Sequence, residues 1–129
     1  MKSLIGIDAI EFKKAASFYK IHQDRLDSLF DKKEADFIRR SPKPHESLAM
    51  ILAAKEAVFK AFSLPWMGLT GFKNIEIIPH SDKEFFFRLH GRLGKFSSKK
   101  LFSGISFLKR KNYVVATCHP VASLSCAGI

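Results

Sequence analysis

The sequence predicts an α+β domain in which an N-terminal strand and helices are followed by mostly antiparallel strands. Three observations predict this class: an apolar run opens the chain, helical periodicity dominates as far as Phe62, and runs rich in β-branched and aromatic residues follow. The chain has 129 residues, the size of one domain, so residues 1–129 are expected to form a single unit with its own hydrophobic core.

The N-terminal segment is predicted as a strand that leads directly into a helix. Residues 4–10 are apolar except for Asp8, which favours a buried strand with one carboxylate inside it. Residues 11–21 then place apolar side chains on one side of a short helix and leave much of its remaining surface basic. An unpaired buried carboxylate is expensive, so Asp8 requires a cation, a hydrogen-bond donor or an exposed strand end.

Two further helices are predicted before the strands begin. Asp31 stands three residues before Glu34, the spacing of a capping box at the start of a short helix. Two prolines within residues 41–44 break that helix, because proline lacks a backbone donor and disfavours helical backbone in the residue before it. The strongest helix is predicted over residues 46–62, with alanines that permit close packing. Its stripe of large apolar residues consists of Leu48, Ile51, Leu52, Phe59 and Phe62.

The C-terminal half is predicted as four strands, because its apolar runs are rich in β-branched and aromatic residues. The runs cover residues 74–78, 84–89, 101–108 and 113–118. Residues 81–83 are suited to a turn, and the polar sequence of residues 109–112 indicates a hairpin between the last two strands. Strands joined by such short turns pair antiparallel.

The composition indicates an anionic partner. Lysine and arginine number 22 against 12 aspartates and glutamates, a net charge of +10, so nucleic acid, a phosphorylated small molecule, an acidic protein and an acidic membrane surface are all candidates. Cys118 and Cys126 form no CxxC pair, and the five histidines lack zinc-site spacing. No apolar run approaches the ~20 residues of a membrane span, and no signal peptide is evident, so a soluble cytoplasmic protein is expected.

Three charged residues stand out as candidates for chemistry. Glu56 and Lys60 lie four residues apart on the strongest helix and therefore share one face. By themselves they are consistent with a solvated ion pair, just as Asp8 is consistent with a carboxylate that accepts backbone donors at a strand end. Taken together, two carboxylates and a lysine are suited to a divalent cation and a phosphate, because Mg²⁺ prefers one or two carboxylates with waters and phosphate oxygens.

Two motifs resemble those of one enzyme family. Residues 6–11, GIDAIE, look like the N-terminal GIDxxE motif of the 4′-phosphopantetheinyl transferases of the holo-acyl-carrier-protein synthase type. Residues 53–61, AAKEAVFKA, are similar to the second motif of that family, which lies on a helix. Both motifs at this separation are more specific than either alone, and the resemblance implies the phosphopantetheinyl transferase fold for the α+β domain.

The resemblance implies transfer of the phosphopantetheine arm of coenzyme A to a serine of an apo acyl carrier protein, with release of 3′,5′-ADP. Carried over by position, Asp8 and Glu56 would bind Mg²⁺, Lys60 and Lys55 would contact coenzyme A, and Glu56 and Lys60 would be the catalytic residues. Lysine places a compact positive charge beside the phosphate oxygens. The serine proton would go to a carboxylate, Glu56 in some versions of the mechanism, or to a metal-held water.

The sequence departs from the family pattern in three places. Residues 82–84, DKE, stand where the family usually has a Gly-Lys-Pro turn before the next strand. Ile51 stands where the family often has a basic residue, and Phe107 stands where its third motif usually has histidine. A divergent enzyme, an unusual carrier protein and a paralogue that binds the carrier without turnover are all consistent with these changes.

Basic residues on the first helix are suited to an acidic partner. Lys13, Lys14 and Lys20 form either a solvated face or a docking surface for an acidic carrier-protein helix, and in the resembled family this helix faces the carrier protein. That family usually forms trimers with active sites between subunits, so the resemblance also implies a homotrimer.

A second basic region raises a different class of function. Lysines and phenylalanines alternate there, as they do in modules that bind single-stranded nucleic acid. No RNP1-like, KH or zinc-finger pattern accompanies them, and alternating phenylalanines in strands more often form core, so nucleic-acid binding is the less favoured hypothesis. The residues concerned are Lys95, Phe96, Lys99, Lys100, Phe102, Phe107, Lys109, Arg110 and Lys111.

Overall fold

The computed structural model describes residues 5–63, 73–79, 84–91 and 103–120. Helices precede most of the strands within these ranges, which confirms the predicted α+β class. The elements in chain order are β1 (Gly6–Glu11), α1 (Phe12–His22), a 3₁₀ turn (Gln23–Arg25), α2 (Leu26–Leu29), α3 (Lys32–Arg40), α4 (Pro44–Ala61), β2 (Ile75–Pro79), β3 (Glu84–Leu89), β4 (Ser103–Lys109) and β5 (Tyr113–Pro120). The predicted turn at residues 81–83, much of the second basic region and Cys126 lie outside the described residues.

The described strands form one antiparallel sheet in the order β1-β5-β4-β3-β2. The first and last strands of the chain are therefore neighbours, with Asp8 opposite Ala116. The predicted hairpin between β4 and β5 is confirmed, and the backbone N–H of Arg110 donates to the carbonyl of Tyr113 at 2.8 Å to close it. β1 and β2 lie at the two edges of the sheet.

Helix α4 packs against the sheet and forms the centre of the core. It contacts β1, β2 and β5 of the sheet and helices α1 and α3. Because the strands and helices around α4 approach it from several sides, its alanines are as buried as its large apolar residues. The prediction of a single buried stripe of large apolar residues is therefore only partly correct. Leu48 and Ile51 are fully buried, whereas Leu52, Phe59 and Phe62 are half-buried at its edge. The buried alanines are Ala49, Ala53, Ala54, Ala57 and Ala61.

The helix starts follow local chemistry. The predicted capping box of α3 is confirmed: the N–H of Glu34 donates to Asp31 Oδ1 at 2.8 Å, and the N–H of Asp31 donates to Glu34 Oε1 at 3.1 Å. Helix α4 begins at Pro44, two residues earlier than predicted, because a proline in the first turn loses only an N–H that has no partner within the helix. None of the helices in the described ranges has both the length and the apolar character to cross a membrane.

Candidate active site

Glycine at position 6 lets β1 approach α4 closely. A Cβ atom built on Gly6 would lie 2.6 Å from the backbone nitrogen of Ala61 and still closer to the backbone oxygen of Ala57, both in α4. Small residues on the two elements therefore bring their backbones together. Side chains alternate along a strand, so Asp8, two residues further on, also points towards α4.

Asp8 meets its counter-ion on α4. Lys60 Nζ lies 2.7 Å from Asp8 Oδ1, and the Asp8 side chain is 17% exposed while that of Lys60 is 52% exposed. The hydrogen bond to Asp8 raises the pKa of Lys60, with a smaller contribution from the charge of Glu56. The pair satisfies the predicted requirement of Asp8 for a cation, and the exposed lysine remains accessible to an anionic ligand.

Glu56 shares the electrostatic environment of this pair. It lies one helical turn before Lys60 and is half-buried. Burial raises the pKa of Glu56, and the negative charge of Asp8 raises it further, while Lys60 lowers it. The structure therefore brings together the three residues that the sequence singled out, two carboxylates and one lysine.

Lys55 lies elsewhere, in the interior. Its ammonium is 3.0 Å from Glu34 Oε1 and donates to the backbone oxygen of Ile75 at 2.6 Å, and its side chain is 0% exposed. This placement is at odds with the predicted contact between Lys55 and coenzyme A, because a buried ammonium held by protein partners does not reach an external phosphate. Glu34, which the sequence marked only as a helix cap, is its buried partner.

The donor set at Asp8 and Glu56 is small. Within residues 5–63, 73–79, 84–91 and 103–120, no group of three or more histidine, cysteine, aspartate or glutamate side chains is arranged to hold a metal ion. Two carboxylates nevertheless match what Mg²⁺ takes from a protein when waters and substrate phosphates complete its shell. A metal at this site would take its remaining ligands from water or from phosphate oxygens.

The predicted docking lysines all lie exposed on α1. Lys14 is 3.5 Å from Glu11 Oε1, and both side chains are largely in solvent. Lys13 and Lys20 are likewise exposed. Helix α1 continues directly from β1. The basic surface formed by Lys13, Lys14 and Lys20 therefore lies on the helix that follows the strand carrying Asp8.

Two of the positions that depart from the family pattern, Ile51 and Phe107, differ in burial. Ile51 is fully buried. Phe107 packs edge-to-face on Phe85 with ring centroids 4.7 Å apart, as expected of core rather than of a stacking platform for bases. Phe107 also lines a cleft of about 980 Å³ that extends to Ser47. Ser47 precedes Lys60 by about 20 Å along α4, so this cleft is not the Asp8 site.

The fold and the site together define a class: an α+β protein in which an edge-strand aspartate faces a glutamate and a lysine of the central helix. The family model described as ACPS, 4′-phosphopantetheinyl transferase superfamily, matches residues 4–118. The chain therefore belongs to the 4′-phosphopantetheinyl transferase superfamily.

Similar proteins share one name. The holo-acyl-carrier-protein synthase of Chlamydia felis is 37% identical over 75 residues, which are 57% of this chain and 62% of that protein, less than two thirds of its length. That of Leptospira biflexa is 29% identical over 103 residues, 79% of this chain and 81% of that protein.

Solved structures of the same name share the fold. The crystal structure of the Neisseria meningitidis holo-acyl-carrier-protein synthase matches with a TM-score of 0.73 and 24% identity, over 91% of this chain and 96% of that one. The Helicobacter pylori structure, determined in complex with coenzyme A, matches with a TM-score of 0.69 and 18% identity, over 91% of this chain and 99% of that one.

Proposed function

We propose that this protein transfers the 4′-phosphopantetheine arm of coenzyme A to a serine of an apo acyl carrier protein and releases 3′,5′-ADP. The observation that carries the proposal is the convergence of Asp8, Glu56 and Lys60 at the contact between β1 and α4. Membership of the superfamily supports it. So do the names of the relatives, which are holo-acyl-carrier-protein synthases, and the coenzyme A bound in the Helicobacter pylori structure.

Asp8 and Glu56 are suited to a magnesium ion. Burial and the neighbouring carboxylate both oppose ionisation of Glu56, so the site gains free energy when a cation compensates its charge. Hard oxygen donors are the ligands that Mg²⁺ prefers, and two carboxylates leave room for waters and phosphate oxygens. When bound there, Mg²⁺ would act as a Lewis acid that neutralises charge on the pyrophosphate.

Lys60 and Glu56 have separate roles in this proposal. Lys60 is anchored by Asp8 yet half-exposed, so its ammonium can turn to a phosphate oxygen of coenzyme A. Glu56 lies on the same face of α4, one helical turn before Lys60, where its carboxylate could accept the proton of the attacking serine. Lys55 is buried and has neither role.

The carrier protein is proposed to dock on α1. Lys13, Lys14 and Lys20 are exposed there and contribute to the net charge of +10. An acidic carrier-protein helix complements this charge, which speeds the encounter and sets its register. Because α1 follows β1, a carrier docked on α1 lies beside the strand that holds Asp8.

A homotrimer is proposed from the sheet face that α4 does not cover. Ile7 is 55% exposed and Leu108 is 48% exposed. The register places them on the same face, since Ile7 is opposite Thr117, Thr117 is opposite Ser106, and Leu108 follows Ser106 by two residues. Burial of such exposed apolar side chains against another subunit would stabilise an oligomer. Further exposed apolar residues near it are Ile5 and Tyr113.

Intact-mass analysis of an apo acyl carrier protein tests the function directly. Incubation with this protein, coenzyme A and Mg²⁺ is expected to add the mass of one phosphopantetheine arm and to release an equal amount of 3′,5′-ADP. Reactions with EDTA or without coenzyme A are the controls. Binding of the carrier protein with no mass gain would favour a non-catalytic paralogue, and salt-sensitive oligonucleotide binding without coenzyme A binding would favour a nucleic-acid module.

A further inference from the structure

A buried ion pair joins α3 and α4 to the sheet. Lys55 Nζ lies 3.0 Å from Glu34 Oε1, and both side chains are fully buried. The same ammonium donates to the backbone oxygen of Ile75 at 2.6 Å, while Glu34 Oε2 accepts the backbone N–H of Ile77 at 2.7 Å. The ammonium also lies 5.5 Å from the ring centroid of Phe30.

The two charged groups close the open edge of β2. In the described sheet, β2 is the last strand and pairs with β3 on one side. Ile75 and Ile77 are alternate residues, so their backbone groups point along the same edge of the strand. Lys55 satisfies the carbonyl and Glu34 satisfies the N–H there, as a neighbouring strand would.

Lys55 and Lys60 hold α4 at opposite edges of the sheet. Lys55 contacts β2 at one edge, and Lys60 contacts β1 at the other. They are five positions apart in the sequence, so they project about 140° apart around the helix. Glu56 follows Lys55 directly and projects about 40° from Lys60. The direction of Lys55 consequently determines where Glu56 and Lys60 point.

We propose that Glu34 and Lys55 are positioning residues, whose ion pair sets the rotation of α4 that turns Glu56 and Lys60 towards Asp8. The proposal rests on the transferase function proposed above. A rotation that separated the pair would leave each buried charge without its counter-ion, which is costly, whereas a pair of apolar side chains tolerates sliding. The pair thus selects one setting of α4.

Steady-state kinetics with matched variants can distinguish three roles for the Glu34–Lys55 pair: positioning of α4, binding of coenzyme A, and stabilisation of the fold alone. Lys55→Met removes the counter-ion of Glu34, and the double variant Glu34→Gln with Lys55→Met removes both charges. The control Lys32→Met changes a lysine that is 87% exposed on α3. We expect the double variant to recover part of the melting temperature that Lys55→Met loses, because no unneutralised charge remains buried. Its kcat should remain lower by about tenfold or more with the KM for coenzyme A within about twofold of wild type. Lys32→Met should match wild type.

Two kinetic outcomes would overturn the proposal. Recovery of wild-type kcat in the double variant would mean that the pair only stabilises the fold. A rise of about tenfold in the KM for coenzyme A, with kcat unchanged, would mean that Lys55 contacts the ligand. Glu34→Gln alone, whose single amide oxygen can accept from either Ile77 or Asp31, should show the same kcat loss in milder form if the double variant does not fold.

A crystal structure of the double variant, or of Glu34→Gln, provides a readout that does not depend on turnover. We expect Lys60 to lie beyond hydrogen-bond distance of Asp8 in the variant. An unchanged Lys60–Asp8 contact would refute the positioning role. If wild-type protein transfers no arm, the proposed function fails, and this structure still decides whether the pair positions α4.

Discussion

Replacement of Gly6 by alanine is expected to damage both the fold and the proposed site. The added Cβ would lie 2.6 Å from the nitrogen of Ala61, whereas ordinary contact begins at 3.4 Å, and it would lie closer still to the oxygen of Ala57. Both are backbone atoms of α4, so neither can move aside as the end of a flexible side chain would. β1 and α4 must separate by about 1 Å in a close-packed interior, which carries Asp8 away from α4.

The cost of Gly6→Ala can be measured in two assays. Overpacking costs about 1–3 kcal/mol of unfolding free energy, and a displacement of about 1 Å at reacting groups costs about a hundredfold in turnover. Urea denaturation and transfer to an apo carrier protein should show losses of this order. Ser28→Thr also adds one methyl group, on an exposed residue of α2, and should change neither. Wild-type stability and turnover in Gly6→Ala would refute the close packing of β1 on α4.

Four further predictions concern charge and capping. Glu56→Gln should raise the melting temperature at neutral pH and abolish transfer. Burial and Asp8 raise the pKa of Glu56, so the wild-type protein loses stability as the pH rises from the ordinary pKa of glutamate through the raised pKa of Glu56. The gain should vanish below about pH 4.5, where the glutamate is protonated in both states. Glu46→Gln on the same helix should lower the melting temperature at neutral pH, because the hydrogen bond from Lys109 lowers the pKa of Glu46. Ionised Glu46 stabilises the fold above the ordinary pKa of glutamate, and this stabilisation is lost as the pH falls through the lowered pKa. Thermal melts from acidic to neutral pH check both signs. Asp31→Ala should cost about 1 kcal/mol of unfolding free energy in urea titrations, because it removes the cap of α3. Charge reversal on α1 should raise the KM for the carrier protein and weaken its salt dependence while leaving the KM for coenzyme A unchanged; equal salt dependence would argue against docking there. The lysines to reverse are Lys13, Lys14 and Lys20.

Local chemistry made much of the fold predictable. The capping box of Asp31 and Glu34 could be recognised because its members are three residues apart and depend on nothing distant. Glu56 and Lys60 could be placed on one face for the same reason, since helical spacing alone determines it. The alternation of strands and turns in the second half was likewise a local signal.

Contacts between residues far apart in the sequence could not be predicted from such local patterns. Asp8 and Lys60 are 52 residues apart, and only the approach of β1 to α4 at Gly6 brings them together. Lys55 shows the limit of such patterns. The motif predicted a ligand contact for Lys55 as well as for Glu56, but adjacent residues of a helix project about 100° apart, so the two side chains point in different directions. Lys55 therefore points to buried Glu34, a partner from another helix that no local pattern reveals.

The central claim is that Asp8, Glu56 and Lys60 form the site of phosphopantetheine transfer. The rate of arm transfer by Asp8→Asn, at saturating coenzyme A and apo carrier protein, tests it most directly. Asp27→Asn is the matched control, because Asp27 also pairs with a basic side chain, Arg39 at 2.9 Å, but lies outside the site. We predict a loss of about a hundredfold or more for Asp8→Asn and none for Asp27→Asn. An undiminished rate in Asp8→Asn would contradict the claim.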